Sequence, residues 1–131
     1  MAVVDGHGLP LAVTIHSASP AEVRLAPEVF TRIPSKRRPR RAIGDKAYDS
    51  NALRAWFQDA YGVELIAPNR RGRRKTQDGR SLRRYRRRWK VERLFAWLGN
   101  YRRVVVRWDR HVHNYFGFVT LACILIMLRH L

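Results

Sequence analysis

Between residues 42 and 67 the chain spells a strand, a helix and a strand, an order that restricts the fold more than any other stretch. Ala42-Ile43-Gly44 is a short apolar run that ends at Asp45. Leu53, Trp56, Phe57, Ala60 and Tyr61 then recur at i, i+3, i+4, i+7 and i+8, the spacing that gathers apolar side chains on one face of a helix. Asp49 or Ser50 supplies an N-cap and Gly62 a stop. Residues 63–67 form a second apolar run, closed by Pro68. Such a crossover lays its two strands parallel. The chain is therefore predicted to be α/β, with Asp45 at the carboxyl end of a buried strand, where open α/β sheets place their sites.

Ahead of this unit, residues 1–4 and 9–15 are β-type runs joined by Asp5-Gly6-His7-Gly8, which predicts a hairpin with Asp5 as a turn residue. Leu9, Leu11, Val13 and Ile15 alternate and are expected on one face. Ser19-Pro20-Ala21-Glu22 reads as a capping box opening a short helix that Pro27 interrupts or kinks. The run KRRPRR at 36–41 is kept from being helical by its proline and fits either a solvated loop or a phosphate contact. Val104, Val105 and Val106 suit a strand or an extended connector. Asn114 is placed as the cap of a last helix over about residues 114–130, so apolar from 115 to 128 that protein should cover it all round. That run is shorter than the roughly 18 to 20 residues a spanning helix needs, so it reads as a buried helix and not a membrane anchor. His111 and His113, two apart and without a third ligand, read as surface residues and not as a zinc site.

Charge is concentrated in the second half. Residues 69–88 carry eleven Lys and Arg against one acid, Asp78, with Gly72 and Gly79 as breakers, which predicts a flexible basic loop over about 69–84. It leads into a helix on which Val91, Leu94, Phe95 and Leu98 form an apolar stripe at i, i+3, i+4 and i+7. Tyr85, Arg88 and Glu92 share the adjoining edge, so a single acid stands in a field of arginine at the rim of the packing face. An i, i+4 pair with Arg88 would account for Glu92 without further function. Trp89 and Trp97 fit core or interface positions, with base stacking as the alternative. Over 131 residues, one domain or a piece of one, 27 Lys and Arg face 10 Asp and Glu for a formal charge of +17. A surplus of that size points to a polyanion, most simply nucleic acid. The lone Cys123 excludes an intramolecular disulfide and a CxxC zinc site and suits a reducing cytosol.

Two motifs in fixed order carry a family resemblance: Gly44-Asp45-Lys46-Ala47-Tyr48-Asp49-Ser50, then Tyr85, Arg88 and Glu92 followed by Arg93-Leu94-Phe95-Ala96-Trp97-Leu98. Together with the Asp5-Gly6 hairpin they resemble the catalytic core of bacterial insertion-sequence DDE transposases of the IS-five type, over nearly the whole chain. The resemblance implies an RNase H-like mixed sheet with flanking helices, here N-terminally truncated, so that residues 1–131 are a partial DDE domain. It implies that Asp45 and Glu92 are the second and third acids of the triad and ligands of Mg²⁺ or Mn²⁺, and that Tyr85 and Arg88 contact DNA or orient the acid. With the charge, it makes Arg70, Arg71, Arg73, Arg74, Lys75, Arg84, Tyr85, Arg87 and Arg88 the expected DNA-binding set. Gly99 stands where the family has a Lys, a role Arg102 or Arg103 could take over. The first Asp of the triad belongs to a strand ahead of the hairpin, so an upstream segment would have to supply it and the chain alone is expected to be largely inactive. DNA, as transposon ends and target, is the implied partner, in a cytoplasmic, nucleoid-associated setting. A homo-oligomer is left open, and the alternative is a non-catalytic basic nucleic-acid-binding protein.

Overall fold

A computed structural model of the protein describes residues 1–17, 21–72 and 83–130. Strands β1 (Ala2–Val4) and β2 (Pro10–Val13) form the antiparallel hairpin, shorter than the runs 1–4 and 9–15 that predict it. Asp5 makes the turn: its Oδ1 accepts the N–H of His7 at 2.7 Å and of Leu9 at 2.9 Å. The register slips between Val3 and Val4, which pair with Ala12 and Pro10 and leave Leu11 as the extra residue of a bulge. The bulge overturns the expected single face. Leu9, Val13 and Ile15 pack on one core while Leu11 turns to the other.

Helix α1 (Glu22–Thr31) follows and buries Ala26, Val29 and Phe30. It runs through Pro27 without ending, since a proline in the second turn deprives only one upstream carbonyl of its donor. The helix starts after Ala21; Ser19 and Pro20 of the expected capping box lie outside the described residues. The basic run opens with a 3-10 turn, Ser35–Arg37, ahead of Pro39. Strand β3 (Arg41–Ile43), helix α2 (Asn51–Tyr61) and strand β4 (Glu64–Ile66) form the crossover, with β3 and β4 parallel as predicted. Of the two candidate caps the structure uses Ser50, whose Oγ accepts the Leu53 N–H at 3.3 Å, and Gly62 closes the helix at φ 64°. The left-handed value suits glycine because it has no Cβ to clash.

The chain builds two cores. The first gathers Phe30, Ile33, Leu53, Phe57, Val63 and Leu65, with the Phe30 and Phe57 rings edge to face at 4.7 Å. The second lies between α3 (Trp89–Leu98) and the last helix, around Leu94, Leu98, Val119, Ala122, Cys123 and Ile126. The hairpin belongs to both, giving Val3, Leu11 and Ala12 to the first and Ala2, Val4, Leu9, Val13 and Ile15 to the second.

Three further expectations need correction. The valine run is a single helical turn, α4 (Arg102–Val105), and not a strand: the Val104 and Val105 amides both reach the Tyr101 carbonyl, and Tyr115 Oη donates to the Val104 carbonyl at 2.7 Å. Local bonding and one tertiary bond satisfy a backbone that has no strand neighbour among the described residues. The last helix, α5 (Val112–Leu128), starts two residues before the expected Asn114 cap and is covered on one side only. Its described neighbours, β2, α3 and α4, leave Leu121, Ile124, Leu125 and Leu128 exposed. No helix among the described residues is long and apolar enough to cross a membrane. The strands, finally, do not form one mixed sheet. Among the described residues there are two sheets of two strands, β1–β2 and β3–β4, separated by a groove.

Candidate active-site groove

The groove has a volume of about 490 Å³. β1 forms one wall and β3 with Gly44 and Asp45 the other; Ala26, Val29 and Phe30 of α1 meet it from the first core, and Val91, Glu92 and Phe95 of α3 from the second. Phe95 was expected to pack with the apolar stripe, yet it stands 52% exposed, because the side it faces is this open space. A second cavity, of about 390 Å³, lies under the other side of the hairpin and is lined by no acidic side chain.

Asp45 arrives at the groove because β3 ends at Ile43 and the chain turns. Its Oδ1 accepts the Ala47 N–H at 2.7 Å, capping a 3-10 turn (Lys46–Tyr48) and leaving Oδ2 uncommitted to that cap. The turn is held from below. Asp49 is 4% exposed; its Oδ1 pairs with Arg54 at 2.8 Å and its Oδ2 accepts the Arg70 N–H at 2.8 Å. Arg70 in turn spends its guanidinium on the carbonyls of Lys46 at 3.2 Å and Ala47 at 2.6 Å. Arg70, expected to contact DNA, clamps the turn that presents Asp45. Sequence periodicity could not show it, because the partners are main-chain carbonyls more than twenty residues away.

Tyr48 packs against Gly44 so closely that a Cβ there would stand 2.9 Å from the Tyr48 side chain. Its hydroxyl lies near the carboxylate of Glu22 of α1. Burial pushes the phenol's pKa up, and the charges of Glu22 and Asp45 push it further. Glu22 also lines the groove. No sequence motif singled it out beyond its helix-capping position.

Glu92 comes from the first turn of α3 and is paired with Arg88 at 2.9 Å, the local salt bridge the i, i+4 spacing allows. Its side chain is 60% exposed, so Oε2 remains open to solvent or a ligand, and an exposed pair of this kind is worth at most about 1 kcal/mol. Arg84, Arg87, Arg88 and Lys90 stand along the same rim. Tyr85 lies beneath Arg88, whose guanidinium is 5.7 Å from the ring centroid. Arg71 is exposed just before Gly72; Arg73, Arg74 and Lys75 lie outside the described residues. Trp97 packs on the second core and Trp89 is half-exposed under the Arg93 guanidinium at 4.2 Å.

Asp45 and Glu92 thus bring hard carboxylate oxygens to one groove, the donor type that Mg²⁺ and Mn²⁺ take. Among the described residues no three potential ligands converge on one point. The donors fit such a cation in kind while leaving its remaining positions to water, phosphate or another chain.

The family profile described as "Transposase DDE domain" matches residues 1–127. A candidate transposase for insertion sequence element IS402 from Burkholderia cepacia is 34% identical over 132 residues, covering 95% of this chain and 59% of that protein. A candidate transposase for insertion sequence element IS6501 from Brucella ovis is 32% identical over 131 residues, covering 98% of this chain and 95% of that protein. The chain therefore spans well under two thirds of the first relative and nearly all of the second. No solved structure matches it.

Proposed function

Because the chain belongs to the transposase DDE domain family, we propose that its groove is part of the active site for DNA transposition, the metal-dependent cleavage and joining of DNA strands. The observation that carries the reading is the convergence of Asp45 and Glu92, from separate elements, on one groove rimmed by arginine. In this reading the two acids hold Mg²⁺ or Mn²⁺, and an upstream transposase segment supplies the first Asp of the triad on an RNase H-like scaffold of the IS-five type. The bound cation supplies Lewis-acid stabilisation and an activated oxygen nucleophile. Asp45 offers Oδ2 while its other oxygen stays pinned to Ala47, which fixes the carboxylate's orientation. Glu92, now paired with Arg88 at 2.9 Å, would hold the cation through its exposed carboxylate, and Arg88 would then be free to bind a DNA phosphate. Arg71, Arg84 and Arg87 hold transposon-end and target DNA at the rim, in the cytoplasm at the nucleoid.

Manganese binding, followed by electron paramagnetic resonance, tests this. Asp45→Ala and Glu92→Ala should each weaken Mn²⁺ binding about tenfold or more, the effect expected when one carboxylate of a small donor set is lost. Unchanged binding in both variants would favour a basic nucleic-acid-binding protein without catalysis.

A further inference from the structure

We propose that the connection between α4 and α5 is a second polynucleotide surface, separate from the groove, which takes single-stranded DNA by stacking an unpaired base on Trp108 and pairing phosphates with Arg103 and Arg110. That DNA is the polyanion rests on the function proposed above; the surface rests on residues that the groove does not use. None of residues 102–113 lines the groove. Val104 and Val105 line instead the cavity under the other side of the hairpin, so this corner lies beyond the hairpin from Asp45 and Glu92. Residues 102–113 hold four arginines and one acid. The acid, Asp109, is turned inward, its Oδ2 buried and without a hydrogen-bond partner. All four arginines are exposed, and none pairs with a carboxylate among the described residues. Nothing on this surface therefore opposes a phosphate.

Aromatic rings fix where two of these charges stand. The Arg103 guanidinium lies over the Phe118 ring at 5.3 Å, and that of Arg107 over the Tyr115 ring at 5.8 Å. Phe118 and Tyr115 are three apart on α5, so the two guanidiniums follow one another along the same face of that helix. A guanidinium held on a ring keeps its remaining N–H groups for an acceptor and loses less freedom when one arrives. Arg107 does a second job. Its Nε and Nη2 donate to the carbonyls of Asp109 at 3.1 Å and Arg110 at 3.2 Å, which folds residues 107–110 back on the side chain. Trp108, within that fold, is 66% exposed, the highest value of any large apolar side chain among the described residues. An indole left in water beside unpaired guanidiniums matches a ligand that carries a flat ring and a phosphate together. A base inside a duplex has both faces covered by its neighbours, so the indole selects one that is out of the stack. Charge disfavours a second copy as the cover, because a two-fold contact on this face would set its arginines against their own images.

The test follows the fluorescence anisotropy of a labelled oligothymidylate of about twelve nucleotides, and of a duplex of the same length, with the chain in EDTA so that no metal contributes. Trp108→Ala should weaken single-strand binding about fivefold or more and duplex binding less than about twofold, while Trp108→Phe keeps most of the affinity. Arg110→Ala should weaken both DNAs and lower the salt slope for the single strand by about 0.7, the share of one phosphate contact. Asp45→Ala and Glu92→Ala should leave the effect of Trp108→Ala unchanged, so that failure of the manganese experiment and failure of this one are separate results. Unchanged single-strand affinity in Trp108→Ala would overturn the proposal, as would an equal loss for the two DNAs. An indole shielded from acrylamide in the chain without DNA, read as the difference in quenching between the chain and Trp108→Phe, would overturn it as well, since the face would then already be covered by protein.

Discussion

At the scale of single residues, the acid that matters most for the fold is Asp49 and not Asp45. Removing Asp49 leaves Arg54 without its buried partner, so Asp49→Ala should cost about 3 kcal/mol, measured by urea denaturation. Asp45→Ala, which gives up one cap to a 3-10 turn, should cost about 1 kcal/mol. Arg70 and Arg71 look equivalent in the sequence and should separate in experiment. Arg70→Ala loses two carbonyl bonds and should destabilise by about 1 to 2 kcal/mol, whereas Arg71→Ala should stay within about 0.5 kcal/mol and show its effect in DNA affinity. Tyr48 adds a pH dependence. Its folded pKa lies above the ordinary 10.0, so the stability it contributes is complete below about pH 10 and falls as the pH rises further. Tyr48→Phe should remove that alkaline slope in a series of melting temperatures. That Asp45 and Glu92 reach one groove was legible because both sit in ordered motifs; the contacts of Arg70, Asp49 and Glu22 were not, because their partners are set by chain folding and leave no local period.

Elements were read best where local chemistry and tertiary packing agree. The β3–α2–β4 crossover carries its own cap, stop and apolar face, and the structure keeps all three. The valine run failed because β-branched preference is weak against a turn whose carbonyls find nearby donors. The last helix failed differently: composition says that it is apolar, and cannot say how many neighbours arrive to cover it. Ile126 and Ile124 measure the difference. Ile126→Ala opens a cavity in the second core and should cost about 2 to 4 kcal/mol, while Ile124→Ala on the exposed flank should cost under about 1 kcal/mol, both by thermal unfolding. The turn after β3 is equally demanding. Gly44→Ala would drive a methyl into the Tyr48 ring and should cost about 1 to 3 kcal/mol by the same measurement.

For the whole molecule, charge and family lead to separable expectations. With a formal charge of +17, DNA affinity should fall steeply with salt, the logarithm of the binding constant declining linearly with the logarithm of salt concentration. Strand joining should be absent for the chain alone in Mg²⁺, because no three acidic or imidazole ligands converge among the described residues. An oligonucleotide assay that yields joined product would refute this. The two cores have a further consequence. Asp45 is mounted on the core built around Phe30 and Phe57, and Glu92 on the helix that packs into the core around Leu94, with the thin hairpin as the piece both share. The acids therefore behave like the tips of a pair of calipers. In the proposed site, a ligand that bridged the two acids would therefore couple the two cores to each other as well as to itself.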